Sequence, residues 1–534
     1  MKIFVYDTTL RDGTQGEGIS LTVEDKLKIA AKLDYLGVDY IEGGWPGSNP
    51  KDLEFFRRAR HLPLCHAKLA AFGSTRRPGA RVDLDPNILA LIHSGTSVVT
   101  LVGKSWDLHV TQALSTTLAE NLAMIRESVF YLKDHGLEVI YDAEHFFDGF
   151  RCNPIYALDT LIAAREAGAD WLVLCDTNGG SMPFQIEQTV KEVISQIPAV
   201  SLGIHTHNDS DLAVANSLAA VLAGARQVQG TVNGWGERCG NASLCSVISN
   251  LEAKLGYQVL PPGHLQRLTE VARYASEIAN VVQPGNLPFV GISAFAHKGG
   301  IHASAVMKNS QTYEHMSPET VGNQRRVLVS ELAGAASLRF KAEEMGLMLD
   351  EKAIRGLVEE IKQLEHLGYQ FEGAEASLEL LMQRVLGRYW PTFKLESFKV
   401  LVEKRAGENL ISEAVMKIRV NEAIVHTAAE GKGPVNALDN ALRKALEEFY
   451  PGIKEMHLTD YKVRVLEEKD GTEAKVRVLI ESRDRQSSWS TVGVSENIIE
   501  ASWQALVDSM NYLLLKRTAL SALAPPIARV ADQA

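Results

Sequence analysis

From residue 3 to about 255, short runs rich in β-branched and aromatic residues alternate with longer stretches whose apolar positions recur every three or four residues. The short runs are IFVYDTTL, VDYIEGGW, AKLAAFG, SVVTLVG, EVIYDAEH, WLVLCDT, SLGIHTHN and QVQGTVNG, which makes eight strands. Between them, stretches such as VEDKLKIAAKLDYLG and NPIYALDTLIAAREAGAD read as amphipathic helices closed by Gly. Eight strand–helix units in roughly 250 residues is the rhythm of a (β/α)₈ or TIM barrel. An open doubly wound sheet would carry a GxGxxG turn after its first strand, and LRDGTQGEG lacks that spacing.

The pattern then changes twice. Residues 258–392 lose the strand signals and read as a helical linker region, with turns at QPGNLPFVG and KNSQTYEHMSPE. Residues 393–520 read as an α+β domain with strands SFKVLVEKR, EAVMKIRVNEAIVHTAAE, LTDYKVRVLEE and AKVRVLIESRD. Its two helices, GKGPVNALDNALRKALEEF and GVSENIIEASWQALVDSMNYLLL, each follow a strand through a Gly-containing turn, which predicts a duplicated strand–strand–helix unit. The last stretch, 521–534, reads as a frayed tail. The expected fold class is α/β, with the barrel over 1–257.

A length of 534 residues exceeds what one core usually supports, in line with several domains. The formal net charge is −11, and no Lys/Arg block exceeds a couple of residues, so nucleic acid and anionic membrane are poor partners and small-molecule chemistry is favoured. No apolar run approaches the roughly 20 residues that span a bilayer, and the chain opens on a polar, patterned strand, so a cytoplasmic location is expected. The five cysteines form no CxxC pair, so neither structural zinc nor disulfides are indicated.

In a barrel the catalytic face is where the strands end. Strand 1 ends in DTTLRDG, which brings Arg11 and Asp12 to the rim; strand 7 ends in His205 and His207; strand 8 leads through VNGWGERCGN to Asn241. Residues i and i+2 of a strand share a face, so the two histidines address one point. Alone, the pair reads equally well as two rim histidines hydrogen-bonded to neighbours. Together with Asp12, and with Asn241 as a fourth ligand, it reads as a site for Mg²⁺, Mn²⁺ or Zn²⁺ with room for a bidentate substrate. Arg11 is then a fixed cation for developing negative charge, and Glu42, at the end of strand 2, orients Arg11 or Asn241. Asp142 and Glu144 share a face of strand 5, and Thr177 follows strand 6; Glu144 suits proton transfer and Thr177 suits binding of a carboxylate. A helix N-terminus in the Gly turns of the C-terminal domain suits the carboxylate of an amino acid.

LRDGTQGEG (10–18), GIHTHND (203–209) and NGWGERCGN (233–241) resemble the metal-dependent Claisen-condensing branch of the DRE-TIM metallolyase superfamily, the 2-isopropylmalate, homocitrate and citramalate synthases. GKGPVNAL and GVSENIIEASWQAL resemble the allosteric domain of these enzymes, so the likeness covers nearly the whole chain. The resemblance implies metal ligands at Asp12, His205, His207 and Asn241, a catalytic Arg11, and substrate-binding positions at Arg11, Asp12, Glu42, Asp142, Glu144 and Thr177. It also implies a catalytic histidine and tyrosine in HKGGIHASAVMKNSQTYEH, at His302 and Tyr313, with Glu144 the third candidate for proton transfer and His297 a competing histidine. The strand 5 segment YDAEHFFDG departs from the forms of the other synthases, which leaves the role of Asp142 open. Effector binding would fall on the turns holding Gly431, Gly433, Pro434, Gly493, Ser495 and Asn497, with isoleucine the effector and a homodimer the assembly.

The implied reaction joins acetyl-CoA to a 2-oxo acid. YIEGGWPGSNPKD (40–52) resembles the branch that takes pyruvate, and Phe72 and Leu101 are expected to fill the space a longer side chain would need. A second substrate carboxylate, as homocitrate synthesis requires, would find only Lys68 and Lys104 as extra basic groups on the expected rim. Three other readings compete. An amidohydrolase carries its HxH on the first strand, not the seventh; an acyl-CoA lyase would not need a feedback domain; and a non-catalytic sensor would not need Arg11 and the ligand set.

Overall fold

Eight parallel strands close into a barrel in chain order: β1 (Phe4–Asp7), β2 (Tyr40–Gly44), β3 (Lys68–Ser74), β4 (Val98–Lys104), β5 (Glu138–Glu144), β6 (Trp171–Asp176), β7 (Leu202–Thr206) and β8 (Gln227–Gly230). Closure is made by β8 against β1, with Phe4 opposite Gln227 and Asp7 opposite Gly230. The computed structural model describes residues 1–330, 334–406, 409–466 and 474–523. It divides into two compact units, Met1–Phe295 with Met316–Arg325, and Ala296–His315 with Arg326 onward.

Alternation along the strands sorts the barrel's side chains. Tyr6, Tyr40, Ala70, Val98, Ile140, Trp171, Val173 and Cys175 fill the interior. Their strand neighbours Val5, Ile41, Ala71, Val99, Leu172 and Leu174 join the larger core between sheet and helices. Local chemistry sets the helix limits. Thr22 and Asp25 form a capping box at the start of Val23–Leu36, and Gly37, in the left-handed conformation, closes that helix. Asn49 caps Pro50–Ala59, and Thr117 caps Leu118–Asp134.

The second unit is mainly helical before residue 390, as its sequence predicts, with one short parallel pairing of β9 (Ala296–His297) and β10 (Arg326–Val327). Beyond it lie two repeats. β11 (Lys394–Glu403), β12 (Ile411–Val420) and β13 (Ala423–Gly431) form one antiparallel sheet, followed by the helix Pro434–Leu446. β14 (His457–Val465), β15 (Val476–Arg483) and β16 (Ser488–Ser495) form the other, followed by the helix Ile498–Leu523. The duplication therefore carries three strands per repeat, where the sequence pattern predicts two. EAVMKIRVNEAIVHTAAE is a hairpin turning at Asn421 (φ 52°), a residue that tolerates the left-handed region, and SWSTVGVS is a strand of its own. The last helix continues to Leu523, and the rest of the expected tail, 524–534, lies outside the described residues. Among the described residues no helix is long and apolar enough to cross a membrane.

Each repeat passes from its third strand to its helix through a glycine on which the helix closes tightly. A Cβ at Gly431 would stand 2.3 Å from the Ala437 nitrogen, and one at Gly493 would stand 2.0 Å from the Ala501 oxygen. Gly493→Ala is therefore expected to lower stability by about 1–3 kcal/mol through overpacking. A urea midpoint unchanged from that of the parent chain would contradict this close approach.

Candidate metal centre and active site

β1 ends on Asp7, whose buried carboxylate accepts hydrogen bonds from the Thr9 backbone and hydroxyl, both at 2.9 Å. The Thr9 hydroxyl oxygen in turn accepts from the Val232 backbone N–H at 2.9 Å, across the closure of the barrel. Burial pushes the Asp7 carboxyl up to about 7, against these donors. The turn so fixed presents Arg11 and Asp12. His205 lies within β7, and His207 just past its end is bridged through its backbone to Asn241.

His205 Nε2 lies 3.3 Å from both His207 Nε2 and Asp12 Oδ2. Asp12, His205 and His207 each offer a ligand atom within 4.8 Å of the others, and all three are buried. Two observations show that this set fits a cation. Asp12 Oδ1 and Asn241 Oδ1 are buried acceptors without a hydrogen-bond donor among the described residues, each an unsatisfied group costing about 1–3 kcal/mol. Three buried carboxylates, Asp12, Glu42 and Asp142, also face a single guanidinium, Arg11, which leaves two surplus negative charges when all are ionised. Burial accordingly pushes Asp142 up to about 7.

The ligands are held from behind. The His205 Nδ1 lies 2.9 Å from Gln229 Oε1, which can only accept, so Nδ1 carries a proton and Nε2 is the nitrogen turned toward Asp12. Gln229 Nε2 donates to Asp142 Oδ1 at 3.0 Å, so Asp142, Gln229 and His205 form one chain. Burial, with His205 alongside, pulls His207 down to about 3, leaving it a neutral imidazole, the form that binds a metal. Asp12 is held well below the usual range by Arg11 and His205, in spite of its burial.

Arg238 ties three strand ends together. It grips Asp209 with two hydrogen bonds (2.7 and 2.9 Å), donates to the Thr177 carbonyl at 2.8 Å and stands 3.3 Å from His207 Nδ1. It does so from a left-handed backbone conformation (φ 57°), uncommon for a residue with a side chain and a mark of functional sites.

Arg11 donates through Nε to Glu42 Oε1 at 2.6 Å, lies 3.5 Å from Asp12 and stacks its guanidinium 3.9 Å from the centre of the Phe72 ring. Glu42 is fully buried, and its second oxygen accepts from the Tyr6 hydroxyl at 2.8 Å. Of the two partners expected for it, Glu42 thus engages Arg11. Glu144 pairs with Lys104. The Thr177 hydroxyl oxygen accepts from the His145 backbone at 2.9 Å, so its own proton is free to donate elsewhere.

A cavity of about 70 Å³ is lined by Arg11, Asp12, Phe72, Val102, Asp142, Glu144, Cys175, Thr177, His205 and His207. A wider one of about 370 Å³, sharing seven of these residues, extends past Trp45, Arg76, Arg77, Lys104 and Arg238. Glu42 lines neither, and Leu101 faces the helical layer because it alternates with Thr100 and Val102 on β4. Val102 occupies the place expected for Leu101. Lys68 sits at the opposite end of its strand, bound to Glu138 at 2.7 Å. The mouth is also more basic than the sequence reading expects, because Arg76, Arg77 and Arg238 come from loops.

In the second unit the His302 and Tyr313 rings stack with centroids 4.1 Å apart. His297 is buried with its Nε2 3.2 Å from Glu314 Oε1. At the repeat turns, Asn497 Oδ1 accepts from the Ile499 and Glu500 backbones, so the N-terminus of the last helix is already capped by a side chain. Ser495 Oγ accepts from the Asn497 backbone, and Asn436 Oδ1 accepts from that of Lys432.

A family model described as HMGL-like matches residues 2–274, one described as homocitrate synthase post-HMGL domain-like matches 289–368, and one described as LeuA allosteric (dimerisation) domain matches 372–514. The (R)-citramalate synthase of Aquifex aeolicus is 57% identical over 518 residues, covering 96% of this chain and 98% of that one. The chain belongs to the (R)-citramalate synthase family. Two proteins of Sulfolobus acidocaldarius sharpen the placement. Its (R)-citramalate synthase is 48% identical over 96% of each chain, and its 2-isopropylmalate synthase is 40% identical over 70% of this chain and 94% of that one.

Gln229 lies in the strand QVQGTVNG and Arg238 in NGWGERCGN, but neither stands at the strand-end positions that single out the histidines. A polar residue on an inward position of a barrel strand was the signal available for Gln229. Gln229→Leu, which removes the acceptor from His205 Nδ1, is expected to weaken metal binding by about 10–100-fold with the fold intact. Titration of the metal-stripped chain with Mn²⁺ measures this, and an affinity equal to that of the parent would remove Gln229 from the site.

Proposed function

We propose that this chain condenses acetyl-CoA with pyruvate and water to give (R)-citramalate and CoA. The observation that carries the reading is the convergence of Arg11, Asp12, His205 and His207 on one small cavity beside Thr177, in a chain so close to the citramalate synthases. Asp12, His205, His207 and Asn241 would hold a divalent ion, Mg²⁺, Mn²⁺ or Zn²⁺. When bound, such an ion supplies Lewis acidity toward the keto group of a 2-oxo acid.

The chain's own groups account for the rest. The Thr177 hydroxyl donates to the substrate carboxylate. Arg11, immobilised by Glu42 and by the Phe72 ring, places a permanent positive charge where the keto oxygen becomes an alkoxide. Proton removal from the acetyl methyl group is assigned to His302 with Tyr313, and Glu144, paired with Lys104, orders a water for the transfer. The enolate carbon then bonds to the keto carbon, the alkoxide takes up a proton, and hydrolysis of the thioester releases CoA. That hydrolysis makes the sequence irreversible. We place a homodimer and an amino-acid effector, isoleucine, on the C-terminal repeats, at the turns of Gly431, Gly433, Pro434, Gly493, Ser495 and Asn497.

Free-thiol release from acetyl-CoA tests the reading. It is expected with pyruvate, to be lost after chelation of divalent ions, and to be abolished in His205→Ala. Discrimination by one or two methylenes amounts to about 1–3 kcal/mol, so slower release with 2-oxobutyrate is also expected. Faster release with 2-oxoisovalerate than with pyruvate would overturn the choice of substrate. Isoleucine at millimolar concentration is expected to lower the initial rate, and an unchanged rate would remove it as effector.

A further inference from the structure

Phe72 is held between two partners. Its face carries the Arg11 guanidinium at 3.9 Å, and the Trp45 ring meets it in an edge-to-face contact, with centroids 5.4 Å apart and planes at 79°. Phe72 lines the small inner cavity, whereas Trp45 lines only the wider mouth, so the indole stands outside the phenyl ring with respect to the inner cavity.

Trp45 is itself immobilised. Its indole Nε1 donates to Asn87 Oδ1 at 2.6 Å, and Asn87 Nδ2 donates to the Ser74 carbonyl at 2.5 Å, two residues beyond Phe72 on β3. Its backbone N–H donates to Asp52 Oδ2 at 2.9 Å. Asp52 is paired with Lys26, a lysine only 2% exposed that also donates to the Gly43 carbonyl at 3.1 Å. A buried ion pair of this kind resists displacement, because moving one partner leaves the other charge unpaired. The loop after β2 therefore presents the indole on a rigid support, and Phe72 cannot swing outward unless Trp45 leaves.

We infer that Trp45 determines specificity by locking Phe72 across the inner cavity, which limits the length of the 2-oxo acid side chain that fits beside Arg11. The inference rests on the condensation reading above and adds to it the device that sets substrate size. Trp45 touches no reacting atom; it acts through Phe72. A longer side chain that displaces Phe72 breaks both the edge contact with Trp45 and the stack under Arg11. Selection and alignment of the catalytic cation are thus coupled through one ring.

The test compares kcat/KM for pyruvate, 2-oxobutyrate and 2-oxoisovalerate in the metal-loaded full chain, with folding of each variant checked by circular dichroism. Trp45→Ala opens a space for Phe72, and the ratio of 2-oxobutyrate to pyruvate is expected to rise about tenfold, the lower end of what one methylene decides. Trp45→Phe keeps an aromatic edge and is expected to change the ratio less than about threefold. Asn87→Ala, which frees the indole without removing it, is expected to raise the ratio by an intermediate factor and serves if Trp45→Ala does not fold. A purely structural role for Trp45 would lower all three activities together and leave the ratios fixed. A ratio within twofold of the parent in both Trp45→Ala and Asn87→Ala, with the parent turning over pyruvate, overturns the role of Trp45 alone. A parent chain that releases no thiol with any of the three acids overturns the condensation reading, and this inference with it.

Discussion

The carboxylate of Glu42, fully buried at the end of β2, is the constraint around which the catalytic mouth is arranged. A buried charge without a partner is among the costliest features a fold can carry, and losing one partner of a buried pair costs about 3–5 kcal/mol. Glu42 is satisfied by Arg11 on one oxygen and the Tyr6 hydroxyl on the other, and Tyr6 is within 2.6 Å of the Thr100 hydroxyl. Arg11 is consequently no free cation at a rim. Its direction is set by Glu42, its face by Phe72, and its remaining charge falls on Asp12.

From there the barrel's closure decides what meets what. β8 pairs with β1, and β7 pairs with β8, so Asp12 near the start of the chain comes beside residues 205–241 without any long-range loop. The meeting of Asp12, His205 and His207 is therefore a consequence of topology as much as of residue choice. The negative surplus there does a second thing: with three buried carboxylates and one guanidinium, a divalent cation is the counter-charge the interior lacks. Burial, with Glu42 adding to it, pushes Asp142 up to about 7.

Much of this was legible in the sequence because it follows the strand period. Arg11, Asp12, His205 and His207 stand at predicted strand ends, and a period of two places both histidines on one side. What escaped was of two kinds. Trp45, Arg76 and Arg238 reach the mouth from loops, and their positions depend on contacts such as Trp45 with Asn87 or Arg238 with Asp209, which no local pattern encodes. The third strand of the first C-terminal repeat escaped because EAVMKIRVNEAIVHTAAE has no glycine or proline to mark its turn, whereas that of the second, SWSTVGVS, is a separate segment. Asn421 alone makes that turn, and the alternation continues through it almost without a break. Leu101 is legible from the sequence by the opposite signal: it is near the rim along the chain, but the alternation of β4 turns it outward and Val102 inward.

The contacts of the mouth also bear on which parts of it can vary. Asp12 touches both Arg11 and His205; Gln229 joins His205 to Asp142; Glu42 joins Arg11 to Tyr6. Each group satisfies two others, so substitutions within this network are not independent, and their effects will not add. A buried network that is only partly satisfied is worse than none, which leaves little freedom to retune it for another substrate. Phe72 and Val102 differ in kind. They contribute shape without completing the network's hydrogen bonds, and Phe72 meets the network only through the face of its ring. Under the proposed reaction, selectivity among 2-oxo acids would change at these walls while Arg11 and His205 stay where Glu42 and Gln229 hold them.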